Sequence, residues 1–111
     1  MSDETRFFYD GPQQLLPAVV AALERVVDPE VALNIVDVGL VYGVVVQGDR
    51  VDVNVTMTSA ACPVTDTIIE DIEFQLDQDM PSGLFIHVEL VWEPPWTPER
   101  MSDKARGFMG W

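Results

Sequence analysis

Apolar residues recur at helical spacing over Gln13 to Val27: Leu16, Val19, Val20, Leu23, Val26 and Val27 share one face. Ala18, Ala21 and Ala22 add helix propensity. The helix is predicted to stop at Asp28-Pro29, because a residue before proline is pushed out of the α region. Residues 28–39 mix apolar anchors with carboxylates and read as a structured loop. Leu40 to Val46 is a β-branched run that reads as a strand, and Gly48-Asp49 carries a hairpin-turn signal. Val51, Val53, Val55 and Met57 then alternate with Asp52, Asn54, Thr56 and Thr58, the pattern of a strand with one wet face. A second helix is predicted from Cys62 at the N-cap and Pro63 at the first helical position to about Gln78. Its stripe is Val64, Ile68, Ile69, Ile72 and Leu76, and its outer face is acidic. Leu84 to Trp92 alternates again as a third strand. Thr97-Pro98-Glu99 opens a short last helix reaching about Arg106.

This order, helix-strand-strand-helix-strand-helix, predicts an α+β domain in two layers. Helices pack on one face of a small, mixed, three-stranded sheet. The strand–helix–strand crossover should return the third strand parallel to the second. Residues 1–12 read as a flexible lead-in, and residues 13–111 as one domain.

The chain has 111 residues with 6 Lys+Arg against 19 Asp+Glu, a formal net charge of −13. Such a field repels phosphate backbones and anionic bilayers, so neither nucleic acid nor membrane is an expected partner. No run is long and apolar enough to span a bilayer, and MSDETRFFYDGP lacks the basic start and apolar core of a signal peptide. A cytoplasmic location is expected. The acidity reads first as a solubility device, with a basic protein partner as the other reading.

The chain has one cysteine, Cys62. It excludes an intramolecular disulfide and any closed cluster or zinc site built from this chain's own thiolates. A helix N-terminus stabilises a thiolate through free N–H groups and the macrodipole. Thr56 and Thr58 are candidate hydrogen-bond donors to it from the strand end, whereas Asp66, one turn along, opposes ionisation. Burial as a small hydrophobe is the competing role for Cys62. For Asp28, Glu30 and Asp37 the alternatives are convergence on the sulfur or turn-making and capping. His87, the single histidine, reads as a surface or structural residue. Trp92 reads as core, and Trp96 as partly exposed and suited to an interface.

Three segments, taken in order, resemble a known family: Asp28-Pro29-Glu30 with Asn34 to Tyr42 (NIVDVGLVY), Met57 to Pro63 (MTSAACP), and Val91 to Trp96 (VWEPPW). They are similar to the metal–sulfur-cluster assembly accessory family typified by SufT. That family includes PaaD-like proteins and a eukaryotic cytosolic iron–sulfur targeting factor. The resemblance spans about residues 15–111. It implies an α+β fold and a role in iron–sulfur protein maturation, not metabolic catalysis. It matches the family's cysteine motif to Thr58 and Cys62-Pro63, its acidic positions to Asp28, Glu30 and Asp37, and its Trp-Pro signature to Trp92, Pro94 and Trp96. PaaD-like members carry extra cysteines in a C-terminal extension. None follows here, so the shorter, SufT-like branch is expected.

Within that role, iron or an iron–sulfur cluster is expected to be held transiently at Cys62, with nothing tightly bound, because one thiolate per chain disfavours tight private binding. The role also implies assembly machinery and client apoproteins as partners. One thiolate per chain leaves room for a homodimer sharing ligands. The alternatives are a non-catalytic adaptor docking clients through the Trp96 region and the acidic face, and, ranked last, a thiol enzyme, for which no histidine is placed as a base.

Overall fold

The computed structural model describes residues 7–58, 65–80 and 83–110. Four strands form one sheet in the order β1-β4-β5-β6: β1 Phe8–Asp10, β4 Val41–Gln47, β5 Arg50–Val55 and β6 Phe85–Leu90. Helices α1 (Leu16–Glu24) and α3 (Thr65–Asp79) lie side by side on one face. Between α1 and β4 the chain forms a small ladder, β2 Val27–Asp28 with β3 Leu33–Asn34, and a single helical turn, α2 Ile35–Val38. The last segment is a 3-10 turn, Pro98–Arg100, followed by α4 Asp103–Met109.

The architecture is two strand–helix–strand crossovers fused through a hairpin. β1 runs parallel to β4, and β5 parallel to β6, while β4 and β5 are antiparallel. The two-residue link Gly48-Asp49 has positive φ only at Gly48 (φ 59), as a type II′ turn requires. The parallel return of the last strand and the helices on one face agree with the α+β expectation.

Alternation sets the two faces of the sheet. Val44, Val46, Val51, Val53 and Val55 are buried beneath Val19, Leu23, Ile68, Ile72 and Leu76. The opposite face, carrying Phe8, Asp52, Asn54, His87 and Glu89, has no helix over it among the described residues.

Three expectations need correction. The sheet has four strands instead of three, because Phe8–Asp10, read as lead-in, pairs with Gly43–Val45. Three residues are too few to show a period, and the pairing rests on long-range contacts, with Phe7 buried in the core. The first helix ends at Glu24, and Val27–Asp28 turns into the small ladder instead. The last helix starts later, at Asp103, because Met101 is extended (φ −73, ψ 148) and Ser102 supplies the cap, its Oγ accepting from the Ala105 N–H. The predicted start of the central helix at Cys62-Pro63 lies outside the described residues.

Candidate functional site

Val41 begins β4, Val55 ends β5 and Leu90 ends β6, and these three residues are register partners across the sheet. The segments entering β4 and leaving β5 and β6 therefore all occupy one end of the molecule. Residues 34–42, Met57 with Thr58, and residues 91–96 belong to these segments. In open sheets, the region beyond the carboxyl ends of parallel strands is where ligand sites recur, and β5 and β6 both end here.

Hydrogen bonds tie these segments together. The Thr56 N–H donates to the Leu40 carbonyl (2.8 Å) and the Val91 N–H to the Val55 carbonyl (2.8 Å). The indole Nε1–H of Trp96 donates to the Val38 carbonyl (2.9 Å). Tyr42 is the extra residue of a bulge between Val41 and Gly43. Bulges re-aim side chains, and here the Tyr42 hydroxyl donates to the Pro94 carbonyl (2.6 Å) while the Arg100 guanidinium lies 4.3 Å over its ring. The Ser102 N–H donates to the Asp37 carbonyl (2.8 Å), closing the C-terminal segment onto α2.

The short helix α2 is held at both ends. Asn34 caps it, its Oδ1 accepting from the Asp37 N–H (2.9 Å), and the Asn34 amide returns a bond to Asp37 Oδ2 (2.7 Å). At the far end Gly39 adopts φ 87, and the Leu40 and Gly39 N–H groups donate back to the Ile35 and Val36 carbonyls. This is a Schellman closure. A Cβ at Gly39 would collide with the Arg100 carbonyl, so glycine here also admits the C-terminal turn.

The acidic candidates hold defined positions. Asp28 is buried, and its Oδ1 accepts from the Glu30 N–H (2.9 Å). Its carbonyl accepts from Val31 and Ala32, the latter at φ 62. Asp37 is half-buried, with Lys104 Nζ 3.9 Å from Oδ2. Asp28 thus accepts a turn bond and Asp37 pairs with the capping Asn34, while Glu30 is exposed. Thr58 is half-buried. Thr56 is fully buried, and its Oγ1 has no hydrogen-bond partner among the described residues. Cys62 and Pro63 lie outside the described residues. Among the described residues, no group of three or more His, Cys, Asp or Glu side chains is placed to hold a metal ion.

Of the two tryptophans, Trp96 is half-buried, and Trp92, expected in the core, is exposed. Trp96 packs against the core through its indole bond, whereas Trp92, two residues past the end of β6, is 42% exposed. Alternation assigned Trp92 to the core face, but the strand ends at Leu90 and the alternation ends with it. Pro94 is exposed beside it. The Tyr42–Arg100 contact was invisible to spacing, because the two residues are far apart in the chain and meet only through the bulge.

The model of a family described as iron–sulfur cluster assembly protein matches residues 17–83. The chain belongs to this iron–sulfur cluster assembly family. It is 39% identical over 93 residues to the Fe-S protein maturation auxiliary factor YitW of Bacillus subtilis, covering 83% of this chain and 90% of that protein. It is 40% identical over 86 residues to the Fe-S protein maturation auxiliary factor SufT of Staphylococcus aureus, covering 77% of this chain and 97% of that one. Its fold is similar to the crystal structure of a domain of unknown function from Bacillus anthracis, with TM-score 0.82 and 37% identity over 88% of this chain and 93% of that one. The family match takes in the α2 segment, β4, β5, Cys62 and α3, but ends before the Trp92–Trp96 segment.

Proposed function

We propose that this protein assists maturation of iron–sulfur proteins by carrying iron or a cluster transiently on Cys62 and passing it to client apoproteins. The observation that supports the reading is the convergence at one end of the sheet of the segments entering β4 and leaving β5 and β6, Met57 and Thr58 among them. A single thiolate ligates incompletely, so a second chain, a partner or a small thiol completes the coordination. Incomplete ligation suits transfer, because a closed site would retain its cargo. The cargo is a substrate of the protein, not a resident cofactor. No helix of the described residues is long and apolar enough to cross a membrane, and the reading places the protein in the cytoplasm with assembly machinery. It assigns no catalytic turnover.

The test is a Cys62→Ala strain. The variant keeps the native circular dichroism spectrum, and client cluster occupancy falls to that of the deletion strain. Normal aconitase-type activity in the variant, under conditions where the deletion strain is impaired, would overturn the reading.

A second reading, an adaptor that docks clients without handling metal, is favoured by the exposure of Trp92 and Pro94 beside the same end of the sheet. In that case Cys62→Ala retains binding of assembly proteins and Trp92→Ala loses it.

A further inference from the structure

Helix α3 carries two acidic stripes, and they differ. Along one, Asp71 and Asp79 flank Gln75. Arg25 donates to Gln75 Oε1 (2.8 Å) and pairs with Asp79 (2.6 Å), so this stripe is neutralised against α1. Along the other, Glu70, Glu73 and Asp77 fall at i, i+3 and i+7, all exposed, with no ion pair among the described residues. Phe74 lies within this second stripe and is 58% exposed. Glu70, Glu73, Phe74 and Asp77, with Leu84 just before β6 and Phe85 and Ile86 at its start, line an open groove of about 460 Å³.

The groove runs along an unpaired sheet edge. β6 is terminal in the strand order. The Phe85 and Val91 N–H groups donate to the β5 side, to the Asp49 and Val55 carbonyls. By alternation, the backbone groups of Ile86, Val88 and Leu90 point away from the sheet, without partners among the described residues. Natural edge strands are commonly blunted by proline, lysine or a bulge. Phe85–Leu90 has none of these, and its register with β5 is unbroken.

We propose that the groove between α3 and β6 receives an extended, basic segment of a protein partner, which adds to the sheet as a further strand. Main-chain bonds to Ile86, Val88 and Leu90 supply the pairing. Alternate side chains on the helix side meet Phe74, Leu84 and Ile86 and place Lys or Arg against Glu70, Glu73 and Asp77. Charge selects this occupant over a second copy of the chain. Two copies paired edge to edge would bring two unneutralised acidic stripes together, on chains of formal net charge −13. The inference does not depend on the role given to Cys62.

The probe is a synthetic eight-residue peptide alternating Lys or Arg with Val, Phe and Tyr, compared with a counterpart in which every basic residue is Glu. It is titrated into the ¹⁵N-labelled full chain. The expected result is amide shifts and slowed hydrogen exchange at Ile86, Val88 and Leu90 for the basic peptide alone. Affinity falls at least about tenfold in the double variant Glu70→Lys, Glu73→Lys, and also falls as salt is raised from about 20 to 300 mM. Phe74→Ala, at an exposed position, weakens binding several-fold while β4 and β5 resonances stay in place. Equal binding of the acidic peptide, shifts confined to other surfaces, or sedimentation showing that a second copy already covers β6 would each overturn the proposal.

Discussion

A buried hydroxyl without a hydrogen-bond partner costs about 1–3 kcal/mol relative to an apolar group of the same shape. Thr56 Oγ1 is such a group among the described residues, so Thr56→Val is expected to raise stability by about 1 kcal/mol in urea denaturation. If the hydroxyl serves the Cys62 segment, the same variant lowers client cluster occupancy, so that stability and function move in opposite directions. A destabilised Thr56→Val would show that the hydroxyl is satisfied in solution. The two tryptophans offer a second contrast. Trp96→Phe removes the bond to the Val38 carbonyl and is expected to cost about 1 kcal/mol. Trp92→Ala removes an exposed ring and should leave the urea midpoint within about 0.5 kcal/mol of the parent. The sequence ranked these residues in reverse, because alternation was carried past the strand end at Leu90, while the anchoring of Trp96 depends on a carbonyl 58 residues away. Asp28 and Asp37 stand out in the sequence as candidate site residues from type and motif. Their hydrogen-bond partners do not, since these come from loop geometry that no period encodes.

Elements long enough to show a full period were readable in advance. Ile68, Ile72 and Leu76 in α3 and Val51, Val53 and Val55 in β5 all bury as their spacing requires. Elements of two to four residues, β1, β2, β3 and α2, were not, because so short a stretch shows no periodicity and is held by neighbours. The β2–β3 turn and the end of α2 each carry a residue of positive φ, where opposite substitutions should have opposite effects. Ala32, exposed after the Pro29–Val31 turn, has φ 62. A non-glycine residue there pays about 1–2 kcal/mol, part of which glycine returns as unfolded-state entropy, so Ala32→Gly should gain about 0.5–1 kcal/mol. Gly39→Ala incurs the same left-handed penalty and also drives a Cβ into the Arg100 carbonyl. It is expected to lose at least about 2 kcal/mol and to loosen the Pro98–Arg100 turn. Thermal melts of both variants, with hydrogen exchange at the Ser102 amide for the second, check the pair. A Gly39→Ala protein melting with the parent would mean that α2 and the C-terminal turn do not share this contact in solution.

At the scale of the molecule, charge and topology act together. Two crossovers joined by a hairpin bring the segments entering β4 and leaving β5 and β6 to one end, a convergence that only the strand order reveals. The formal charge of −13, by contrast, was plain from composition, and it sets a physical condition on the folded state. Among the described residues the ion pairs Arg25–Asp79, Arg50–Asp52 and Lys104–Asp37 recruit few of the carboxylates. The remaining acids repel one another across a body whose radius of gyration is 13.4 Å. Unfolding relaxes that repulsion, so screening it should favour the folded chain. Salt also weakens the attractive pairs, but exposed pairs contribute only about 0–1 kcal/mol each, whereas the repulsion is summed over many carboxylates. Repulsion therefore dominates. Raising sodium chloride from about 20 to 300 mM, which shortens the screening length severalfold, is expected to raise Tm by several degrees. About 1 kcal/mol shifts the midpoint of a domain of this size by about 4–8 °C. A flat or falling Tm over that range would mean that the carboxylates are balanced by charge contacts stronger than those three pairs, and the unneutralised stripe on α3 would lose its force as a recognition feature.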